Sequence, residues 1–125
     1  MSVGYLAHGF DLLNVADLDL VAQARRRCGW LLVGVLSDEL VERLSGRAPV
    51  VPLTERIALV AHLRGVDEVR VHRGDDSDLP PGAVLFAAAG HAAALPAAEV
   101  VPLVPAREST SPVVRAALRP FTRVA

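Results

Sequence analysis

The sequence predicts an α/β fold in which a doubly wound, parallel, five-stranded sheet of the Rossmann-like type forms a single domain over residues 1–125. Apolar runs typical of buried strands alternate with stretches whose apolar residues recur at helical spacing, and this alternation favours a parallel sheet covered by helices. The most apolar run, residues 30–36, has no polar position, as expected for a strand buried on both faces. In such a sheet, ligands bind at the carboxyl ends of the strands.

The first predicted unit is a strand, a loop and a helix. The apolar run 3–7 stops at a glycine-containing turn, and apolar residues then recur at helical spacing up to Arg27. Asn14 suits the N-cap of this helix, and Asp17, three residues later, suits the reciprocal position of a capping box. A helix that starts after a strand and a glycine turn offers backbone N–H groups and a positive dipole end, so the pattern indicates a phosphate-binding loop.

The later elements continue the alternation. A short helix over 37–44 is broken at 45–49, and a second amphipathic helix follows Pro52, with apolar positions 57, 59, 60 and 63. Polar, proline-rich residues 73–82 predict a surface loop. The remaining predicted strands are 66–71, 83–88 and 99–104, with a weak helix or turn over 91–98 and a last helix over 111–119.

Composition limits the classes of function. The chain has 125 residues, 52% of them hydrophobic, which is enough for one domain with its own core. Its 13 basic and 14 acidic residues nearly balance, which argues against a nucleic-acid or anionic-membrane partner. The single Cys28 excludes an intramolecular disulfide and fits a reducing cytoplasm, and no apolar run has the length of a membrane span. No histidines or cysteines fall at metal-ligand spacing, so we expect no resident metal site.

Several short motifs, in their order and spacing, resemble a known enzyme family. They are Gly9-Phe-Asp-Leu12, Leu32-Val-Gly-Val35 followed by Ser37-Asp-Glu39, Pro49-Val-Val-Pro52, Glu55-Arg56 and Arg64-Gly-Val-Asp-Glu-Val69. With these motifs the chain resembles the small cytidylyltransferases of the glycerol-3-phosphate cytidylyltransferase type, within the HxGH nucleotidyltransferase superfamily. The resemblance implies a homodimer that transfers CMP from CTP to a small phosphorylated alcohol and releases pyrophosphate.

The chain departs from this family at the two catalytic histidines. Where the family has His-x-Gly-His, this chain has Asn14, Val15, Ala16 and Asp17. An ionised Asp17 about 4 Å from a phosphate oxygen would be repelled by roughly 4 kcal/mol at an effective dielectric near 20. Three alternatives stay open: Asp17 holds a Mg²⁺ ion that carries the triphosphate, His8 replaces a lost imidazole, or the site has degenerated. His8, Asn14 and Asp17 are therefore the candidate catalytic residues.

The resemblance also implies a set of phosphate-binding residues. Gly9, Phe10 and Asp11 would form the first loop, and Ser109, Thr110 and Ser111 would retain the hydroxyl cluster of the family's C-terminal motif. Three arginines match basic positions of the family, and planar guanidinium groups bind phosphate well: Arg47, Arg56 and Arg64. The alternative interpretation is ordinary solvated arginines and an ordinary helix N-cap at 109–111. The acidic turn that the family has after its fourth strand is replaced here by residues 86–91, where we interpret His91 as a turn histidine.

Two function hypotheses follow. The first is a divergent cytidylyltransferase-like enzyme whose activity is reduced or lost because Asn14 and Asp17 replace the histidines. The second is a non-catalytic relative that keeps the fold, binds a nucleotide weakly and serves as an assembly or regulatory domain. The sequence assigns no role to His62 and His72.

Overall fold

A computed structural model describes residues 2–89, 95, 99–106 and 117. Within this part, five strands and three α-helices occur in the order β1, α1, β2, α2, α3, β3, β4, β5, with a short 3₁₀ helix at Asp76–Asp78 between β3 and β4. The strands are β1 (Val3–His8), β2 (Trp30–Leu36), β3 (Glu68–His72), β4 (Val84–Ala88) and β5 (Val101–Leu103), and the helices are α1 (Val15–Arg26), α2 (Asp38–Ser45) and α3 (Leu53–Val60).

The five strands form one sheet with the order β3-β2-β1-β4-β5, and every neighbouring pair is parallel. The chain builds outward from β1 through β2 to β3 and then returns to the other side of β1 to form β4 and β5. The connection therefore reverses direction between β1 and β4, which is where ligands bind in open sheets of this kind. The predicted doubly wound parallel sheet is confirmed.

The core has one layer on each face of the sheet. One layer packs α1 and α3 against the sheet through residues that include Leu20 and Val60, together with Leu6, Val33 and Phe86 of the strands. The other layer contains Tyr5, Leu32 and Leu36 of the sheet, packed with Leu40 of α2 and Leu95. Because β2 contributes to both layers, its uninterrupted apolar sequence is explained.

The predicted bounds differ at several element ends. β3 begins at Glu68 rather than Val66, because Asp67 uses both its backbone N–H and its carboxylate to bind Leu31 at the start of β2. β5 is shorter than the predicted 99–104, and α3 ends at Val60, although Leu63 still packs against the core. The weak helix or turn predicted over 91–98 and the helix predicted over 111–119 lie largely outside the described residues.

Candidate functional site

The candidate site lies at the carboxyl end of β1, beside the point where the chain reverses between β1 and β4. His8 is the last residue of β1, residues 9–14 form the loop that follows, and α1 begins at Val15. Since β1 is the central strand, this loop is flanked by the ends of β2 and β4. The position agrees with the predicted phosphate-binding loop.

The backbone of this loop is held in an uncommon conformation. Phe10 and Leu12 have φ values of 55° and 57°, in the left-handed region that non-glycine residues rarely adopt. The Phe10 side chain is buried in the core, and its ring meets the His8 ring edge to face, with centroids 4.8 Å apart and an interplanar angle of 89°. Core packing of Phe10 therefore offsets the backbone strain and fixes the loop. The resemblance implied that Phe10 belongs to the phosphate-binding loop. In the structure its side chain packs in the hydrophobic core.

Asn14 and Asp17 form a complete capping box at the start of α1. Asn14 Oδ1 accepts hydrogen bonds from the backbone N–H groups of Ala16, at 2.9 Å, and Asp17, at 3.3 Å. Asp17 Oδ2 in turn accepts from the backbone N–H of Asn14 at 3.3 Å. The predicted capping arrangement is confirmed. Two of the N–H groups that a phosphate would use at this helix end are already bound by the chain's own side chain.

The Asp17 carboxylate also receives two side-chain donors. His8 Nε2 donates to Asp17 Oδ1 at 2.9 Å, and Asn14 Nδ2 donates to Asp17 Oδ2 at 3.2 Å. Asp17 is only 6% exposed. The structure thus brings the three candidate catalytic residues together, but it orients His8 and Asn14 toward an internal carboxylate. An anion arriving at this helix end would meet that carboxylate.

The alternative role of Asp17 as a magnesium ligand stays a prediction, and the hydrogen bonds of its carboxylate bear on it. Both of its oxygens accept hydrogen bonds, one from the His8 imidazole and the other from the amide and backbone of Asn14. Mg²⁺ requires near-octahedral oxygen ligation, so an ion bound at Asp17 would compete with these hydrogen bonds for the carboxylate oxygens. Throughout the described part of the chain, no group of three or more His, Cys, Asp or Glu residues could hold a metal ion.

Asp11 connects the loop to the segment between α2 and α3. Its two carboxylate oxygens accept from the backbone N–H groups of Val50, at 3.0 Å, and Val51, at 2.9 Å. Gly9 contributes its carbonyl oxygen to a hydrogen bond with Arg56. Asp11 and Gly9, both predicted to bind phosphate, therefore position the loop through contacts within the protein.

Arg56 is fully buried, and its guanidinium binds protein acceptors on several sides. Nε donates to the carbonyl of Val51 at 2.9 Å, and Nη1 donates to the carbonyls of Gly9, at 2.8 Å, and Leu36, at 2.7 Å. Nη2 donates to the carboxylate of Asp38. This guanidinium therefore ties the ends of β1 and β2 to the segment before α3, and its role in phosphate binding stays a prediction that these internal contacts do not favour.

Arg64 lies at the wrong end of the molecule for the predicted role. It precedes Gly65, where a Cβ atom would contact Arg25 near the C-terminal end of α1. The ten residue-to-residue steps from Val15 to Arg25 span about 15 Å of helix, so Arg64 is far from the capping box. Phosphate binding by Arg64 stays a prediction, and its distance from this helix end does not favour that role.

Arg47 is the predicted phosphate ligand whose geometry suits a ligand best. It is half-buried just after α2, and its Nη1 atom is buried without a hydrogen-bond partner among the described residues. Buried guanidinium N–H groups are normally satisfied, so this nitrogen is suited to an anionic acceptor. The other predicted phosphate ligands, Ser109, Thr110 and Ser111, lie outside the described residues, and so does the turn histidine His91.

Sequence reasoning missed one buried polar cluster. Tyr5 and His72 are both fully buried, and Tyr5 Oη lies 2.7 Å from His72 Nδ1. Local patterns could assign no role to His72, because Tyr5 is 67 positions away in the sequence. Two features of the sequence could have indicated this cluster: Tyr5 lies within an apolar run, and His72 ends a strand. The two strands lie on either side of β2.

Comparisons with known proteins agree with this architecture. Residues 9–110 match a family model described as cytidylyltransferase-like. The chain is 39% identical over 80 residues to the bifunctional protein HldE of Gluconacetobacter diazotrophicus, covering 63% of this chain and 16% of that protein. It is 31% identical to HldE of Granulibacter bethesdensis, over 88% of this chain and 26% of the relative.

Two further similarities extend the comparison. The chain is 39% identical over 66 residues to the ethanolamine-phosphate cytidylyltransferase of Dictyostelium discoideum, covering 52% of this chain and 18% of that enzyme. A lipopolysaccharide core biosynthesis protein from Thermoplasma volcanium superposes with a TM-score of 0.61 at 15% identity, covering 98% of this chain and 89% of the other, which supports the fold. The chain spans about a quarter or less of the length of the curated relatives named here. None of the described helices is both long and apolar enough to span a membrane.

Proposed function

This chain belongs to the cytidylyltransferase-like family, and we propose that it is a divergent member in which transfer of CMP from CTP to a small phosphorylated alcohol is strongly reduced or lost. The observation that carries the proposal is the closed helix end, where Asn14 caps the N–H groups of Ala16 and Asp17 while Asp17 engages His8. Two backbone N–H groups at the helix end that would bind a nucleotide phosphate already donate to a side chain of the same chain.

The energetic reason is the loss of stabilisation where charge develops in the transition state. Nucleotidyl transfer needs hydrogen-bond donors directed at the reacting phosphate, and removing one such donor lowers a rate by a factor of about 10²–10³. Here two backbone donors are bound by Asn14, and the Asp17 carboxylate adds repulsion. These effects act in the same direction, so we expect a chain that folds as its relatives do and transfers nucleotide poorly.

Arg47 supports a second candidate function, nucleotide binding without transfer. Its buried Nη1, which has no hydrogen-bond partner among the described residues, would donate to a triphosphate oxygen, independently of the closed helix end. In this form the chain would be an assembly or regulatory domain that senses CTP or a phosphorylated compound. The homodimer and the cytoplasmic location predicted from the sequence belong to this proposal and are tested by sedimentation and by localisation of a tagged chain.

The activity test is a pyrophosphate-release assay with CTP, Mg²⁺ and either glycerol 3-phosphate or ethanolamine phosphate. We expect no release above background from the unmodified chain, and release from the triple variant Asn14→His, Ala16→Gly, Asp17→His. A variant that changes only Ala16→Gly serves as the matched control and should stay inactive. Pyrophosphate release by the unmodified chain at the rate of the triple variant would overturn the proposal.

The binding test separates the second candidate from the first. Calorimetric titration with millimolar CTP or ATP, with and without Mg²⁺, should give binding that Arg47→Met abolishes. Arg43→Met, on the exposed surface of α2, is the control and should leave binding unchanged. Absence of binding at millimolar nucleotide removes the nucleotide-binding candidate, whatever the outcome of the activity assay.

A further inference from the structure

The outward side of α1 carries a stripe of exposed apolar residues. The side of α1 that packs on the sheet is buried at Leu20 and Ala24. On the opposite side, Val15, Leu18 and Ala22 are exposed. Positions three and four apart lie on one side of a helix, so these three residues are contiguous, and we call them the α1 stripe. The outward side of a surface helix is normally polar, so an apolar stripe there indicates an interaction surface.

α1 differs in this respect from the other described helices and strands. Each of the others that has an exposed large apolar residue has a single one: Leu44 in α2, Leu59 in α3, Trp30 in β2 and Val84 in β4. The exposed Val104, just after β5, lies beside α1, because Gln23 Nε2 donates to its carbonyl oxygen at 2.8 Å. Val104 therefore enlarges the apolar surface around the α1 stripe.

The charges along α1 favour a second copy of the same helix as the occupant. Asp17 and Asp19 lie in the first half of α1, whereas Arg25 and Arg26 lie in its last turn. A second α1 that runs antiparallel to the first places an acidic half against a basic half and opposes the two helix dipoles. A parallel copy would instead place like charges together. The α1 stripe is thus complementary to itself, as an interface with two-fold symmetry requires.

We propose that the α1 stripe is the surface through which two copies of this chain associate, with their α1 helices antiparallel. A two-fold axis at the middle of the stripe packs Leu18 of each copy against Ala22 of the partner subunit, a large residue against a small one. It also brings Arg26 of the partner subunit to the start of α1, at the rim of the candidate site. A single helix pair is a small interface, so association is weak and depends on concentration.

The inference rests on the homodimer included in the proposed function and names its surface. Sedimentation equilibrium of the full chain, from micromolar to millimolar concentration, should give a monomer–dimer equilibrium. Leu18→Asp places a charge at the centre of the stripe and should weaken dimerisation by at least about tenfold, as loss of a central apolar anchor does. Leu59→Asp on α3 is the matched control, because Leu59 is 44% exposed and Leu18 is 43% exposed. The control should dimerise as the unmodified chain does.

Arg26→Glu tests the antiparallel arrangement. The change places a like charge beside the acidic half of the partner helix and should weaken the dimer by about twofold to fivefold, the size of exposed charge pairs. Added salt should reduce this difference, because it screens exposed charges. Arg43→Glu, at an exposed position in α2, is the control and should leave dimerisation unchanged. If Arg26→Glu dimerises as the unmodified chain does at low salt, the antiparallel arrangement is wrong.

A measurement on the unmodified chain does not depend on the folding of any variant. In NMR spectra, the backbone amides of Leu18 and Ala22 should shift between dilute and concentrated samples, while that of Leu59 stays in place. The proposal is overturned if the chain is monomeric at every concentration or if these amides do not shift. A monomer that Leu18→Asp destabilises and Leu59→Asp does not would show that another part of the same chain covers the stripe, which also overturns it.

The outcomes separate this surface from the proposed function. A dimer that persists in Leu18→Asp overturns the α1 stripe as its interface and leaves the homodimer intact. Loss or retention of nucleotide transfer is measured by pyrophosphate release, and nucleotide binding by calorimetry, so neither result depends on which surface forms the dimer.

Discussion

Asp11 and Arg56 bind opposite backbone groups of the same residue, Val51. The Asp11 carboxylate accepts the N–H of Val51 at 2.9 Å, and Arg56 Nε donates to its carbonyl, also at 2.9 Å. Arg56 further binds the carbonyl of Gly9, two residues before Asp11. The loop after β1 and the segment before α3 are therefore fixed to each other from both sides. Two residues that resemble ligand-binding positions of the family here build the frame around the site.

Arg56→Met is expected to lower the free energy of unfolding by about 1–3 kcal/mol, the range for leaving buried polar groups without their hydrogen-bond partner. The change leaves the carbonyls of Gly9 and Leu36 and the Asp38 carboxylate without their donor. Urea denaturation followed by circular dichroism measures the loss. Arg64→Met is the matched control, because Arg64 is exposed, and should change the free energy by about 0.5 kcal/mol or less. Equal losses in the two variants would show that Arg56 does not have the structural role assigned here.

The contrast between these two arginines shows how far the sequence could predict the site. Local patterns gave the five strands and the Asn14–Asp17 capping box, because strand burial and helix capping depend on residues close in sequence. The pattern could not show that Arg56 turns inward, since two of its acceptors, Gly9 and Leu36, are 47 and 20 positions away. This property depends on how distant elements pack. The position of Arg64 is different, because Arg64 precedes the predicted strand 66–71 and therefore lies at the end of the sheet opposite the one where ligands bind.

Asn14→Ala is expected to destabilise the chain by about 1 kcal/mol, the usual loss at an N-cap. Alanine removes the oxygen that accepts from Ala16 and Asp17, and the Asp17 carboxylate loses one of its side-chain donors. Amide exchange of Ala16 and Asp17 should accelerate accordingly. Asn14→Ser is the control, because a serine hydroxyl can still cap the helix, and it should retain most of the stability. If the Ala and Ser variants lose stability equally, the cap is not the source of the effect.

Gly34→Ala is expected to cost about 1–3 kcal/mol, as overpacking in a well-packed core does. The added methyl would overlap the Tyr5 hydroxyl that crosses β2 at this point. Combining the change with Tyr5→Leu should recover part of the loss, giving a favourable coupling energy in a double-mutant cycle. Gly9→Ala is the matched control, since its methyl would approach only Val41, at 3.9 Å. Additive losses in the cycle would argue against steric conflict between Gly34→Ala and Tyr5.

Asp78 should make the stability of the chain depend on pH in the acid range. Burial opposes ionisation of this carboxyl, but hydrogen bonds from the backbone N–H groups of Asp75 and Arg73 outweigh it and hold its pKa below the ordinary 3.8. A lowered pKa means that the folded chain binds this proton less tightly than the unfolded chain does. The ionised group therefore stabilises the fold above pH 3.8, and this contribution is lost as the pH falls below that value.

The measurement compares urea unfolding of the unmodified chain and Asp78→Asn at about pH 6 and about pH 3, where linkage predicts different contributions. The unmodified chain should be the more stable of the two at the higher pH, and the difference should shrink at the lower pH as Asp78 becomes protonated. Glu42→Gln, at an exposed position in α2, should show no such pH-dependent difference. A difference that stays constant between the two pH values would mean that the contribution of Asp78 does not depend on its charge, because a purely steric loss is insensitive to protonation.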